Sequence, residues 1–467
     1  MPNPAATLDF ARPIPVTDAY DLVVCGGGPA GIPAALAARR AGLRVLLVEQ
    51  TGQLGGVGTS AGVSHLLGGR SRDNRHWCVA GIFREVVEDL AARGGALNPV
   101  DIKGEKFSPH GWTGAVSNLT YGVPFDPIQM AVLLDEKMLA AGVDVLFFTA
   151  MVDVRVRDGR ISHVVLFNKG GLQAVPAAAV VDATGDADVA ARSGCDTVKG
   201  RAEDSLMTPA TLMFHVDRVD QDVLASEIYR SGSNRFRELI ADLRQKGDWP
   251  FPYDIFISVQ LHEKGTLMIN TTRICDVDGT DGRSLSRGMM QGRAEVHELF
   301  AVMREHFPGF AGARIRQVAP VLGVRETRRI VGDFVYTVAD IAAERNFGDT
   351  IGFSGYGWDL PDPKRPSYQP MHQRDDAPRI SRLYTPVPYR VLVPRPVENL
   401  VCPGRAISVE RDVLGPLREQ APCYAMGQAA GQAALQVVGD GVPFAGVDTE
   451  RLRRELRSAG AVVDWEG

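Results

Sequence analysis

The sequence predicts an α/β fold: a parallel sheet continued by a β-meander, with an α+β domain inserted into it. Three observations predict this. At residues 21–31 an apolar strand runs straight into a glycine-rich turn, and a helical stretch follows. Apolar or alternating runs at 143–148, 152–157, 161–167 and 172–175 are punctuated by Asp158-Gly159 and Asn168-Lys169-Gly170-Gly171, as hairpins are. Residues 205–385 then change to amphipathic helices before short apolar strands resume. With 467 residues, the chain is long for a single core, so two domains are expected.

The opening strand ends in Gly26, Gly28 and Gly31, the G-x-G-x-x-G spacing, with Pro29 and Ala30 between the last two. Gly26 permits the tight turn, Gly28 lets a pyrophosphate reach bare main chain, and Gly31 lets the next helix pack closely on the sheet. That helix, residues 32–41, is stopped by Gly42, and Pro33 falls in its first turn, where N–H groups lack partners anyway. Its N-terminus offers roughly half a positive charge to phosphates. Val45–Val48 reads as a second buried strand. Glu49, with Gln50 beside it, follows the glycines by about twenty positions, where a carboxylate meets ribose hydroxyls. Strand, helix, strand and acid in that order predict a Rossmann-like dinucleotide site.

Gly52–Ser60 is too glycine-rich for regular structure. Gly55 and Gly56 would form a second backbone cradle, with Thr59 and Ser60 as side-chain donors; a plain flexible loop is the alternative. A helix is expected at 81–93, an aromatic, histidine-bearing stretch at His110–Tyr121, and a helix from Pro127 to Ala141 capped by Asp126. The meander follows, then a buried return strand at 179–186 ending in Ala183-Thr184-Gly185-Asp186. Helices are expected at 221–245 and 287–306, and a strand pair at 253–263 and 265–272 turning at Lys264-Gly265. Residues 359–378 read as an exposed loop. Val391–Pro394 and Leu400–Cys402 return the chain to the domain of the opening strand, Pro422 opens a small-residue helix to about Val438, and a tail helix spans 448–459.

These blocks carry a resemblance. The chain resembles the FAD-dependent oxidoreductases, a broad and largely uncharacterised family related to the flavoprotein fold of glutathione reductase and fumarate reductase. The likeness covers about residues 20–460. It rests on residues 23–31, Leu54–Thr59, Val181–Asp188, Asn270–Asp281, Gly323–Ile330, Val387–Pro394, Pro403–Ser408 and Ala425–Ala434. It implies an FAD-binding domain of glutathione-reductase type over 19–66, 125–204 and 386–467, and a substrate or cap domain over 67–124 and 205–385. It also implies FAD contacts at Gly26, Gly28, Pro29, Ala30, Gly31, Glu49, Gln50, Gly55, Gly56, Thr59, Val152, Ala183, Thr184, Gly185, Asp186, Gly404, Arg405 and Gln420. In relatives the helix opened by Pro422 points its N-terminus at the flavin's pyrimidine edge, where reduced flavin gathers negative charge. The run Gly355–Leu360 departs from the family pattern.

The implied activity is hydride transfer between a small organic substrate and flavin N5, as a dehydrogenase or oxidase. An electron-transfer flavoprotein module serving a protein partner and a flavin-dependent monooxygenase are the alternatives. His65, just after the second glycine loop, either faces the isoalloxazine as a proton acceptor or is a satisfied histidine in a domain seam. Arg325 and Arg328 either clamp a carboxylate or donate a proton, as an arginine does in fumarate reductase relatives, or belong to an arginine–glutamate network with Glu326. Arg273 has the same ambiguity. Tyr356 and Trp358 either stack on a substrate ring or plug a glycine loop.

Composition narrows the rest. A net charge of -5 supplies no phosphate-binding bias, so no nucleic-acid partner is expected. No apolar run reaches a membrane span, and the first 18 residues read as an irregular tail without a signal-peptide core. The 6 cysteines are scattered singly, so neither a disulfide nor a metal is expected, and the cytoplasm is the default location. The electron acceptor is undefined by sequence, and a homo-oligomer is compatible with it.

Overall fold

The computed structural model describes Leu8, residues 11–98 and residues 122–465. The aromatic stretch His110–Tyr121 lies outside the described residues. Strand β1 (Tyr20–Cys25), helix α1 (Gly31–Arg40) and strand β2 (Val45–Val48) form as the sequence pattern requires. β1 and β2 run parallel with Leu22 opposite Val45, and β2 is buried throughout, as a strand covered on both faces must be. Strand β3 (His65–Leu66), helix α2 (Ile82–Ala92) and strand β4 (Val123–Pro124) follow, β3 and β4 pairing antiparallel. Helix α3 (Pro127–Ala141) is capped by the Asp126 carboxylate, which accepts from the N–H groups of Ile128 (2.8 Å) and Gln129 (3.3 Å).

The meander differs from the expected four strands. Strand β5 (Asp144–Leu146) joins β2 in parallel at the edge of the main sheet, because the left-handed backbone of Phe148 (φ 49°) breaks the chain before the meander begins. The meander itself is β6 (Ala150–Arg157), β7 (Arg160–Asn168) and the first half of β8 (Gly171–Asp182). The two expected strands at 172–175 and 179–186 are one, which ends at Asp182. Its N-terminal half pairs antiparallel with β7 (Val175 opposite Val164) and its C-terminal half parallel with β1 (Val180 opposite Val23). The switch of partner falls beside Pro176, which has no N–H to give either ladder. The sheet order is β5-β2-β1-β8-β7-β6.

After helix α4 (Asp188–Arg192) and strand β9 (Thr197–Lys199) comes a second core. It holds β10 (Phe214–Asp217), α5 (Gln221–Ser231), α6 (Arg237–Lys246), β11 (Ser258–Gln260), β12 (Leu267–Ile269), α7 (Gly282–His306) and β13 (Arg314–Val318). The strands form an antiparallel sheet in the order β11-β12-β10-β13. The single helix expected at 221–245 is two, split where Gly232 (φ 68°) and Phe236 (φ 51°) turn left-handed. The expected strand pair is shorter, and α7 starts earlier, at a cap made by Asp281 on the Ser284 N–H (2.7 Å). Phe236, Trp249, Phe256, Phe307 and Phe310 pack edge to face or tilted in its interior.

Strand β14 (Arg328–Ile330) returns to pair with β9. Helix α8 (Val338–Ala342), strand β15 (Thr350–Ser354), helix α9 (Pro370–Gln373) and strand β16 (Thr385–Pro388) lead to β17 (Leu400–Val401), which adds to β8 in parallel. Tyr389–Leu392 form a 3-10 turn. The expected exposed loop at 359–378 holds for Lys364, Arg365 and residues 372–376 but not for its start. Leu360, Pro361 and Asp362 are buried, because Asp362 ion-pairs with Arg201 (3.0 Å) and Asp359 accepts from Gln369 (2.9 Å). Phe83, Val86, Phe353 and Trp358, from segments assigned above to the cap, pack in the first core with β1 and α1.

Helix α10 (Leu414–Leu417) precedes α11 (Gln420–Gly439), and α12 (Thr449–Ser458) ends the chain. α11 is buried nearly all round and lies on α1. A Cβ at Gly427 would stand 2.0 Å from the Ala30 carbonyl oxygen, and one at Gly431 2.1 Å from that of Ala34. Only glycine allows that approach. Among the described residues no helix is long and apolar enough to cross a membrane.

Candidate functional site

The turn after β1 is a cradle of bare main chain. Gly26 (φ 109°) sits so close to β8 that a Cβ would lie 2.3 Å from the Ala183 carbonyl oxygen. A Cβ at Gly31 would lie 1.8 Å from the Gly26 carbonyl oxygen, so these two glycines seat α1 on the sheet. Gly28 is different: a Cβ there would meet nothing nearer than the Gly56 Cα at 3.9 Å. Gly56 in turn would clash with Gly28 at 2.8 Å, so the two glycine loops lie back to back. The Gly27 N–H donates to Glu49 Oε2 (2.8 Å), and Glu49 Oε1 accepts from the Thr51 N–H (2.7 Å) and hydroxyl (2.8 Å).

A cavity of about 580 Å³ opens beside the cradle. Its first-core wall carries Gly28, Pro29, Ala30, Ala183, Gly185, Gly404 and Arg405, and its opposite wall comes from the second core, with Arg235, Ile257, Met268, Asn270 and Arg273. His65, Arg325, Tyr356, Trp358 and Gln420 also line it. Of the residues expected from sequence, the structure thus brings Gly28–Ala30, His65, Ala183 and Gly185, Arg273, Arg325, Tyr356 and Trp358, Gly404 and Arg405, and Gln420 to one space.

Other expected residues lie outside its walls. Thr59 is fully buried and gives its hydroxyl to the Leu54 carbonyl (2.6 Å), and Ser60 is buried beside it, so neither hydroxyl faces the cavity. Gln50 is exposed, and the Val152 carbonyl accepts from Arg192 Nε (2.9 Å). The Thr184 hydroxyl caps Asp182 (2.6 Å). Asp186 accepts from Arg405 Nη2 (2.5 Å) and the Thr327 hydroxyl (2.6 Å), which fixes Arg405 against Gly185. Arg328 leaves the cavity for the Asp186 carbonyl and the Asp188 carboxylate, both at 3.0 Å. The network expected between Glu326 and Arg325 or Arg328 is made with other arginines. Glu326, fully buried, accepts from Arg411 Nη2 (2.6 Å) and the Thr208 N–H (2.6 Å), with Arg329 at 3.6 Å.

The cavity walls are cationic. Arg325 Nη1 donates to the Pro209 carbonyl (2.7 Å) and Thr211 hydroxyl (2.8 Å), and Nη2 to Asn270 Oδ1 (3.2 Å). Burial, with the guanidiniums of Arg273 and Arg418, pushes Arg325 down to about 9, which still leaves it charged at neutral pH. Burial lowers Arg273 in the same way. Arg418 Nη2 donates to Asp359 Oδ2 (3.0 Å) and Nη1 reaches Glu419 Oε1 (3.1 Å). For Asp359 burial works upward, but Arg418, Arg325 and Gln369 outweigh it and hold the carboxyl below its usual range. For Glu419 burial wins over Arg418 and the value rises.

Arg235, Asn270, Asp359, Arg418 and Glu419 were not singled out as site residues from sequence. The Arg418-Glu419 pair directly before α11 was the available signal, since an acid there is an N-terminal mark. The start of α11 reaches the cavity through Glu419, Gln420 and Cys423, and Gln420 Nε2 holds the Val63 carbonyl (2.8 Å) next to β3.

The sequence profile of the FAD dependent oxidoreductases matches residues 21–456. The chain belongs to that family. Its cofactor is FAD, and the open backbone at Gly28 beside a cavity of this size fits the group. Among individual proteins, dihydrolipoyl dehydrogenase of Trypanosoma brucei brucei is 45% identical over 53 residues, 11% of each chain. Thiamine thiazole synthase of Aeropyrum pernix is 31% identical over 201 residues, 40% of this chain and 62% of that one. The chain thus spans 11% and 62% of the lengths of these two relatives. Among solved structures, p-nitrophenol 4-monooxygenase PnpA of Pseudomonas putida DLL-E4 aligns with TM-score 0.49 at 11% identity, covering 95% of this chain and 88% of that one. A geranylgeranyl bacteriochlorophyll reductase-like protein of Thermoplasma acidophilum aligns with TM-score 0.45 at 12% identity, covering 94% and 83%.

Proposed function

We propose that this FAD-dependent oxidoreductase moves a hydride between a small organic substrate and flavin N5. The observation that carries the reading is one cavity that has the glycine cradle on one wall and residues of the second core on another. We read the sheet and meander as the glutathione-reductase type of FAD domain, and the second core as the substrate cap. Bound FAD supplies the hydride-accepting or hydride-donating position.

The chain's own residues do the rest. Gly28 lets the pyrophosphate reach main-chain N–H groups at the start of α1. Arg405, held by Asp186, stands beside Gly185 on the same wall. The N-terminus of α11 offers partial positive charge to the cavity without a titratable group. Ile255, Ile257, Val259 and Met268 exclude water from the opposite side. Arg325 orients the substrate, and Tyr356 and Trp358 form its aromatic wall. His65, 4% exposed and lining the cavity, is positioned to take the proton that leaves a substrate O–H or N–H.

Anaerobic mixing of the holoenzyme with a panel of small organic reductants tests the reading. Bleaching of the flavin absorbance by a small molecule alone supports it. Bleaching only on addition of a protein partner would make the chain an electron-transfer module instead. In His65→Ala, an unchanged reduction rate would remove that residue from the proton transfer.

A further inference from the structure

We infer that the substrate of this reaction carries an oxyanion, a carboxylate or a phosphate, which docks against Arg235 and Arg273 on the second-core wall of the cavity. The inference rests on the hydride-transfer reading and adds the chemical class that the chamber selects.

Arg235 sits in the break between α5 and α6, where Gly232 and Phe236 turn the chain left-handed. Its guanidinium faces the cavity, and its buried Nη1 has no hydrogen-bond partner. Among the described residues no carboxylate lies within ion-pair distance of it. Arg273 is 4% exposed, and its Nη1 donates only to neutral oxygens: the carbonyls of Asn270 (3.0 Å), Thr271 (3.3 Å) and Thr272 (2.8 Å), and the Thr211 hydroxyl (3.3 Å). Its Nε is buried without a partner.

Neighbouring acids offset this pair only through space, with no ion pair to either guanidinium among the described residues. Glu295 approaches Arg273, but its Oε1 is taken by the Tyr253 hydroxyl (2.5 Å) and the Arg273 main-chain N–H (3.3 Å), and burial raises its pKa toward the neutral form. Asp359 and Glu419 are both drawn to Arg418. Arg325 adds a further cation bonded to neutral oxygens. Asp359, held by Arg418, is shared through space with Arg235, Arg273 and Arg325, so buried guanidiniums outnumber the carboxylates that face them, a costly arrangement that an anion would relieve. A planar guanidinium fork matches a carboxylate or phosphate with paired, charge-assisted hydrogen bonds, whereas a neutral amide or ester offers weaker acceptors.

The cofactor's own phosphates do not meet this need. They belong at the glycine turn and the start of α1, on the first-core wall, while Arg235 and Arg273 stand on the opposite wall among Ile255, Ile257 and Met268. The anion must therefore arrive with the substrate.

The test uses FAD-loaded enzyme and reads the shift in flavin absorbance on titration, together with thermal unfolding. Acetate, benzoate and succinate form one arm, methyl phosphate a second, and acetamide, benzamide and succinamide a neutral third. At least one anion arm should bind, and the arm that does so identifies the oxyanion. Its neutral counterparts should bind at least tenfold more weakly. Arg235→Gln, in a helix break where folding should survive, should weaken the binding anion at least tenfold while FAD content stays the same. Arg235→Lys should restore part of the loss. Equal binding of amides and anions, no binding in either anion arm, or unchanged anion affinity in Arg235→Gln would overturn the proposal. A neutral compound that bleaches the flavin anaerobically would also overturn it while leaving the hydride reading intact. If the anions bind as expected but no organic reductant bleaches the flavin, the anion site stands and the hydride reading falls.

Discussion

Alanine at two glycines only a few residues apart should break the protein in two different ways. At Gly31 the added methyl would sit 1.8 Å from the Gly26 carbonyl oxygen and 3.2 Å from the Ala183 Cβ. The first distance is far inside van der Waals contact, so α1 must lift away from β1 and β8. Overpacking of this kind costs about 1–3 kcal/mol. At Gly28 the methyl meets no atom within 3.9 Å and projects into open space beside the cradle. The flavin-free fold should therefore be unchanged, but the cofactor loses its close approach to main chain. Loss of one charge-assisted hydrogen bond, worth about 1.5–3 kcal/mol, weakens FAD roughly ten- to hundredfold. Thermal unfolding of the flavin-free proteins, followed by fluorescence titration with FAD, separates the two effects. Gly28→Ala should melt with wild type and bind FAD poorly, whereas Gly31→Ala should melt early. A Gly28→Ala protein that melts several degrees low, or binds FAD with wild-type affinity, would refute the division of labour drawn from these distances.

Glu326→Ala strands Arg411 and Arg329 in the interior without their carboxylate, and should cost about 3–5 kcal/mol, read as a lowered urea midpoint. Asp182 is held protonated up to about 6 by burial, against an ordinary value near 3.8. The native state thus binds more protons between those values, and the stability from this site is full below about 4 and declines as pH rises through about 6. The difference in urea midpoint between wild type and Asp182→Asn should track that decline, and a difference flat in pH would count against it. Arg325 sheds its charge as pH climbs past about 9, so affinity for an anionic ligand should drop there in wild type. In Arg325→Gln the affinity should already be low, with that drop absent from the binding curve.

The legible parts of the chain were those with local causes. The β1–α1–β2 unit follows from an apolar run, fixed glycine offsets and a buried second strand, and Asp126 caps α3 because an Asp-Pro pair does so within its own turn. The cofactor cradle was readable for the same reason. What escaped depends on contacts between distant stretches. Arg235 reaches the cavity only because α5 and α6 separate at residue 232, and Arg418 meets Asp359 across 59 positions. Glu326 chose Arg411, 85 residues away, over the arginines beside it. Thr59 was misjudged because its hydroxyl had a carbonyl within its own loop, at Leu54. β8 looked like two strands because periodicity records which face is buried and says nothing of which neighbour is paired.

The contact of Gly427 and Gly431 with the main chain of α1 has a bearing on how the molecule is made. The segment that backs the first helix lies far downstream of it in the chain, so the nascent polypeptide carries an uncovered apolar helix until α11 emerges. Flavin capture should then wait for α11, and removal of that helix should yield colourless protein.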